Sequence, residues 1–522
     1  MKEKAIKTFS MVFLITLFAK ILGLLRDIFF ANFFGTGYEA TAFFAATRIP
    51  TQLLDIGLGA AIASTFIPVF NEIMQKDNKE KANQFATNFI NIIAVIATII
   101  SVLGIVFAPQ VVSILAGGFD ETTFNLTVEL IRITFPMMIF TAIAFSLVGF
   151  LQSYGQFNVP AMISAISNIA IIVYLILFRE SFGIHGIAMF MLVAWALQVI
   201  VQIPFARKYG YKFKWQINFK DENIKKVFKL SIPIIISTSV LPINILVSTA
   251  IASGMENGAV AALEYSYKLF LVIVGIFTYA IGNILFPELA RLSANNEKEK
   301  LVNLIQKGLK AMAYILIPLT VGMLIFGKDI ITVLYQHGEF DVNSTIITAG
   351  ALMFYSIGMI GFGFVEIMNK SFYAKQDTKT PLIVGVIIVA INILLCNILA
   401  NILGVNGLAL ATACTAILNG LILIICANIH TKGIISKDLL FTMLKILASS
   451  CIMGLVVICI NNWLVQIMSG TIIVDVIRMI LGAIIGVVIY YICAIVFRLS
   501  EIVELRQIVL EKIKSKGGMY DN

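Results

Sequence analysis

The feature that most constrains this chain is a succession of long apolar runs, among them 89–109, 382–403 and 479–497. A run of about 20 apolar residues crosses the roughly 30 Å hydrocarbon layer of a bilayer as a helix. A transmembrane β-barrel needs alternating strands of about 10 residues, and these runs do not alternate. Composition agrees. The chain is 59% hydrophobic and 13% charged over 522 residues, whereas a soluble domain is about 45–50% apolar and about 25% charged. The expected fold class is an all-α polytopic membrane protein.

Apolar segments separated by polar loops define about fourteen transmembrane helices. They fall at 9–30, 42–70, 86–108, 130–152, 158–178, 184–204, 229–252, 264–290, 309–327, 347–369, 381–402, 406–429, 441–463 and 472–497. Loop charge sets their orientation, because cytoplasmic loops retain Lys and Arg. Basic residues gather before the first span, in the even-numbered loops and in the C-terminal tail. The sixth loop alone carries Arg207, Lys208, Lys212, Lys214, Lys220, Lys225 and Lys226. The odd-numbered loops are nearly bare, with Arg179, Lys328 and Arg478 as the main exceptions. Both termini are therefore expected in the cytoplasm. The N-terminus lacks a small-residue cleavage site after a short apolar core, so the first span is expected to be uncleaved. The net charge of +9 sits mostly in short loops, which argues for membrane orientation and against a nucleic-acid partner. Six cysteines lie in or beside apolar runs without a CxxC or metal-ligand spacing, the pattern of small packing residues.

The chain matches itself at an offset of about 220. Thr65-Phe66-Ile67-Pro68 corresponds to Ile284-Leu285-Phe286-Pro287, and Phe119-Asp120 to Phe340-Asp341. Tyr154 through Pro160 corresponds loosely to Tyr373 through Pro381, and Gly183 through Ala188 to Gly404 through Ala409. Helices 1–6 thus map onto helices 7–12, and an even number of spans gives both halves the same topology. The expected organisation is two parallel six-helix lobes, 1–228 and 229–430, plus two C-terminal helices and a basic tail in 431–522. Such a pair suits a transporter with its site between the lobes; a duplication used only as scaffolding is the alternative.

Charges within the spans mark the candidate site. A charged side chain near the bilayer centre costs roughly 2.5–3.5 kcal/mol on insertion scales, so it should face a wet cavity or a partner. Helix 1 carries Lys20, Arg26 and Asp27, and helix 2 carries Arg48, Gln52 and Asp55. Helix 8 begins with Glu264 and Lys268. The functional reading is a hydrated, net-positive cavity for an anionic headgroup, with Arg26, Arg48, Lys20 and Lys268 facing phosphate oxygens. Asp27 and Asp55 would orient the arginines. The structural reading is internal pairing of Arg26 with Asp27 or Asp55 and of Lys268 with Glu264, or snorkelling at helix ends. The three histidines, His185, His337 and His430, are isolated, and no HExxH, P-loop or nucleophile elbow is present. The chain reads as a non-enzyme without ATP hydrolysis of its own.

Several segments carry a resemblance. Gly23-Leu24-Leu25-Arg26-Asp27, Ala42-Phe43-Phe44-Ala45-Ala46-Thr47-Arg48-Ile49-Pro50 and Thr65-Phe66-Ile67-Pro68-Val69-Phe70 closely resemble the MurJ (MviN) lipid II flippase family. Phe372 through Pro381 and Gly407 through Thr412 are similar to it as well. The resemblance implies a fold of the multidrug/oligosaccharidyl-lipid/polysaccharide exporter superfamily. It implies movement of undecaprenyl-pyrophosphate-linked peptidoglycan precursor from the inner to the outer leaflet. Family cavity cations map onto Lys20, Arg26, Arg48 and, as Lys in place of Arg, Lys268; that exchange keeps charge but loses the guanidinium fork. A family acidic residue is Thr41 here, an Arg pair is Leu54-Asp55, and the Glu that follows is Gly59. A family sodium site is matched by Asn392 and Thr412, while its two acidic ligands correspond to Ser248 and Cys396. A hard-cation site without carboxylates is weak, which argues against sodium coupling.

The expectation is a flippase working by alternating access on a lipid-linked anionic precursor. It needs no cofactor and is driven by membrane potential or an ion gradient. Its partners would be membrane lipids and the cell-wall synthesis machinery, and it would act as a monomer. The competing readings are an exporter of another lipid-linked glycan and a non-transporting membrane scaffold. A multidrug antiporter fits less well, because a cationic cavity repels cationic drugs.

Overall fold

The computed structural model describes residues 2–48, 50–51, 59, 61–238, 240–467 and 471–499. Among the described residues there are helices and connecting turns and no strand. In chain order the helices are α1 (Lys2–Phe34), α2 (Tyr38–Arg48), α3 (Ile67–Lys76), α4 (Lys79–Val106), α5 (Ala108–Ala116), α6 (Glu121–Thr134) and α7 (Met137–Ser153). They continue as α8 (Asn158–Leu177), α9 (Arg179–Lys208), α10 (Glu222–Thr238), α11 (Val240–Ala252), α12 (Ala259–Ala294) and α13 (Lys298–Tyr335). The last six are α14 (Val342–Ile357), α15 (Met359–Ala374), α16 (Lys379–Leu403), α17 (Val405–Thr431), α18 (Lys437–Ile467) and α19 (Ile472–Val496).

Nine helices among the described residues are long and apolar enough to cross a membrane, and the number rises to eleven when two bent pairs each count as one span. These eleven coincide with eleven of the fourteen expected spans. The others, 9–30, 42–70 and 229–252, fall on α1, on the stretch from α2 to α3, and on α10 with α11. The second includes 49, 52–58 and 60, and the third includes 239, all outside the described residues. At 33 residues, α1 is about 50 Å long. Helices α12 and α13 have 36 and 38 residues and overrun the expected 264–290 and 309–327. Hydropathy marks only the part in hydrocarbon. Beyond it the helices continue as charged ends, laced by Arg291–Glu288 at 2.5 Å and Lys300–Glu297 at 2.6 Å.

The bends have local causes. Helices α6 and α7 meet at 41° where Pro136 caps α7, and α14 and α15 meet at 44° at Gly358. A π-helical turn, Ile62–Phe66, comes just before Pro68, whose missing N–H removes a rung from the helix ladder. The two bends sit at matching places of the internal repeat, and other backbone details recur with them. Asp120 caps α6 by accepting from the Thr122 and Thr123 amides, and Asp341 accepts from the Ser344 amide at the start of α14. Positive φ recurs at Gly155 and Gln376, and again at Gly183 and Gly404.

The chain forms two compact units. The first runs to Tyr265 and takes in Tyr335–Ser344 and Ile393–Val405; the second comprises Ser266–Leu334, Thr345–Asn392 and the chain from Asn406 on. In the first unit α1 packs on α8, α8 on α9, α9 on α7, α7 on α4, and α2 on α6. One of its cores is rich in aromatic rings. Phe66 stacks on Phe85 at 5.5 Å and lies 4.8 Å from Phe89, while Phe70 meets Phe150 edge-on at 5.6 Å. Arg179, one exception to the loop-charge pattern, sits 4.4 Å over the Phe33 ring.

In the second unit α18 and α19 pack on each other. They are tied to α13 by Lys310–Asp438 at 2.7 Å and by Arg478, which lies 3.2 Å from both Asp329 and Asp475. Arg478, another exception, is thus buried between two carboxylates. Helix α15 approaches α17 so closely at Gly361 that a Cβ there would collide with the backbone of Ala416 and Ile417. Gly361→Val is expected to cost about 1–3 kcal/mol through overpacking, read as a lower Tm in detergent; an unchanged Tm would contradict the close approach.

Candidate functional site

The charged part of α1 is built around Asn168 on α8. Gly23 supplies the space: a Cβ there would stand 3.3 Å from the Asn168 side-chain nitrogen. Asn168 donates through Nδ2 to the Ala19 carbonyl at 3.1 Å and accepts through Oδ1 from Arg26 Nη1 at 3.1 Å. Arg26 also donates to Asp27 Oδ1, from Nε at 3.1 Å and from Nη2 at 2.7 Å. Each nitrogen of the guanidinium therefore makes one bond. A guanidinium has five N–H groups, so one on Nη1 and one on Nη2 have no protein acceptor among the described residues. The Arg26 side chain retains 23% exposure. This is an oriented, partly neutralised cation with two donors left over.

Arg48 is the opposite case. It lies at the C-terminal end of α2 with 6% of its side chain exposed. Nη2 pairs with Glu264 on α12, and Nη1 donates to the Thr249 hydroxyl and, at 3.2 Å, to the Ile245 carbonyl, both on α11. Its Nε is buried without a partner among the described residues. Arg48 thus ties α2 to α11 and α12, and α2 also meets α1 and α12 through rings: Phe30 of α1 lies 4.9 Å from Phe43 and 5.0 Å from Phe44 on α2, and Phe44 meets Tyr265 of α12 edge-on at 5.1 Å.

The remaining expected residues divide. Lys20 is exposed on α1, about 9 Å along the axis from Arg26. Asp27 is buried beside Arg26. Lys268 is half-buried on α12, in the second unit. Gln52 and Asp55 lie outside the described residues. Asn392 is fully buried and donates to Thr415 Oγ1 at 3.0 Å, while the Thr412 hydroxyl bonds its own helix at the Leu408 carbonyl. In the first unit Ser248 and Cys396 meet, Oγ to Sγ, at 3.8 Å. Among the described residues no group of three His, Cys, Asp or Glu side chains is placed to hold a metal ion. Sequence reasoning missed Asn168 and Thr249. Each is a polar residue within an otherwise apolar run, and that is the signal by which both could have been found.

The turns at the end of the first unit away from the basic loops are sealed to one another. The Glu339 amide donates to the Asn32 carbonyl at 2.9 Å, Tyr265 Oη donates to the Gly35 carbonyl at 2.9 Å, and the Thr36 and Ser344 hydroxyls bond at 2.7 Å. The Gly118 amide donates to Ser253 Oγ at 3.1 Å.

Removing one partner of a buried ion pair costs about 3–5 kcal/mol, whereas replacing both by apolar side chains is far milder. Glu264→Gln is expected to lower the detergent Tm markedly, and Arg48→Met/Glu264→Leu to restore most of it. A double variant no more stable than the single would contradict a closed Arg48–Glu264 pair.

The lipid II flippase MurJ family matches residues 30–498 of this chain. A probable lipid II flippase MurJ of Haemophilus influenzae is 30% identical over 426 residues, covering 78% of this chain and 83% of that protein. The solved structure of a lipid II flippase MurJ in an inward closed conformation superposes with a TM-score of 0.80 at 27% identity, covering 93% of this chain and 98% of that one. An inward-facing multidrug resistance MATE family transporter of the MOP superfamily shares the fold, with a TM-score of 0.68 at 14% identity over 80% of this chain and 95% of its own.

Proposed function

The chain belongs to the lipid II flippase MurJ family, and on that premise we propose that it moves lipid II from the inner to the outer leaflet of a bacterial cytoplasmic membrane by alternating access. The observation that carries the reading is Arg26. It is partly exposed, held in register by Asp27 and Asn168, and keeps two N–H donors for an outside acceptor. A pyrophosphate presents such acceptors, and charge-assisted bonds to it from a guanidinium are strong and directional. Lys20, less than two turns away along α1, adds a second positive charge.

Arg48 is assigned a different part. Its charge is already matched by Glu264, so it positions α2 against α11 and α12 and meets an anion only if that pair opens. The sealed turns at the end opposite the basic loops support entry of the headgroup from the cytoplasmic side, both termini lying there too. The step is transport without a chemical reaction. Membrane potential or an ion gradient drives it, and Ser248 and Cys396 in place of the family's acidic ligands speak against sodium. Membrane lipids surround the chain, which works as a monomer alongside the cell-wall synthesis machinery.

Arg26→Ala is expected to abolish complementation of a flippase-depleted strain at wild-type membrane levels of the protein. Asn168→Ala is expected to slow translocation of lipid II in proteoliposomes by roughly ten- to a hundredfold, the worth of one hydrogen bond to a charged group. Full complementation by Arg26→Ala, or movement of a different lipid-linked glycan in place of lipid II, would overturn the assignment. Rates that rise with an imposed sodium gradient would overturn the reading of the drive.

A further inference from the structure

The sixth loop holds a feature that flipping does not use. Residues 211–218 run as extended backbone with no helix or strand of their own. Both ends of the segment are anchored in the first unit's aromatic core. At one end Tyr209 stacks on Tyr154 at 4.8 Å and Tyr211 lies 5.7 Å from Phe150; at the other Ile224 and Val227 are buried in the same cluster. Between these anchors every residue from 212 to 220 is exposed. Large apolar side chains alternate with polar ones: Phe213 is 71% exposed, Trp215 72% and Phe219 53%, interleaved with Lys212, Lys214 and Lys220.

The backbone of this strap is not left to solvent. A polar stripe on α4 takes up its carbonyls. Asn83 donates to Tyr209 O at 3.2 Å and Thr87 to Lys212 O at 3.3 Å. Asn91 donates to Lys214 O at 2.7 Å and to Gln216 O at 3.0 Å. Asn88 donates to Asn218 O at 3.0 Å and accepts from its amide at 2.8 Å. Asn88 and Asn91 are themselves 1% and 2% exposed. Irregular backbone at membrane depth persists only where protein satisfies it. The apolar span on α4 begins near residue 86, so Asn91 stands about 8 Å inside it. The strap therefore crosses the boundary between headgroups and hydrocarbon, where Trp and other aromatic side chains concentrate and Lys reaches outward. Eight basic and two acidic residues lie between 207 and 229.

We propose that the 211–220 strap is a lipid-binding element that lays Phe213, Trp215 and Phe219 into the bilayer interface and takes the phosphates of anionic phospholipids on Lys212, Lys214 and Lys220. It rests on the membrane setting of α4 and not on the identity of the transported substrate.

Trp215 is its own probe among the chain's three tryptophans. The full chain is placed in nanodiscs containing brominated phosphatidylglycerol or brominated phosphatidylcholine at equal mole fraction and low salt. The quenching lost in Trp215→Phe is the signal. The expected result is a preference of roughly fivefold or more for the anionic lipid, the scale set by one surface lysine. Lys212→Gln/Lys214→Gln/Lys220→Gln should lose that preference while Trp215 stays quenched. Asn88→Ala/Asn91→Ala should weaken quenching by both lipids. Absence of Trp215 quenching by either lipid overturns the interfacial placement. Equal quenching by both overturns the anionic selectivity, and quenching indifferent to the asparagine variant overturns the pinning.

Discussion

In a hydrocarbon medium no solvent is available to complete a backbone hydrogen bond, and that single constraint organises this structure. Most of the chain meets it with helices, whose bonds are internal. Where the chain leaves the helix, another side chain or turn must supply the partner. The turn residues Gly35 and Glu339 are met by Tyr265 and Asn32, and the extended segment after α9 is met by the asparagines of α4.

The same medium decides what each charge can do. Arg48 and Arg26 are both arginines near the ends of apolar helices, yet one is enclosed and the other is not. Enclosure obliges Arg48 to match its charge within the protein, and Glu264 with Thr249 does so. Partial exposure lets Arg26 keep donors in reserve, while Asp27 and Asn168 fix its direction. A lysine at either place would lack the planar fork that makes such an arrangement possible.

Much of the fold was legible in the sequence, because apolar run length is a direct reading of membrane thickness. The repeat was legible too, down to the aspartates that cap α6 and α14. Run length did not reveal the extra turns of α12 and α13, since a helix does not end where its hydrophobicity does. The site was legible as a set of charges and in the neighbouring pair Arg26–Asp27, but not in the pairs formed between distant parts of the chain. Glu264 stood four residues from Lys268 in sequence, while its partner Arg48 lies 216 residues away. Asn168 is 142 residues from Arg26. Residue spacing within one helix reports a face, and only packing reports what that face meets.

The repeat also has an evolutionary side. Bends of 41° and 44° recur in the two halves, yet Lys20 and Arg26 of the opening helix have no counterpart within 229–252, whose single Lys stands at its start, while Arg48 of the second helix falls opposite Lys268. Two separate copies of one gene product could never differ in this way, because every substitution would appear in both. Fusion of the duplicated halves into one polypeptide freed each to drift alone. The shared geometry was retained while the charge of the opening helix came to differ between the halves, so ancestry by duplication and later divergence are recorded in the same chain.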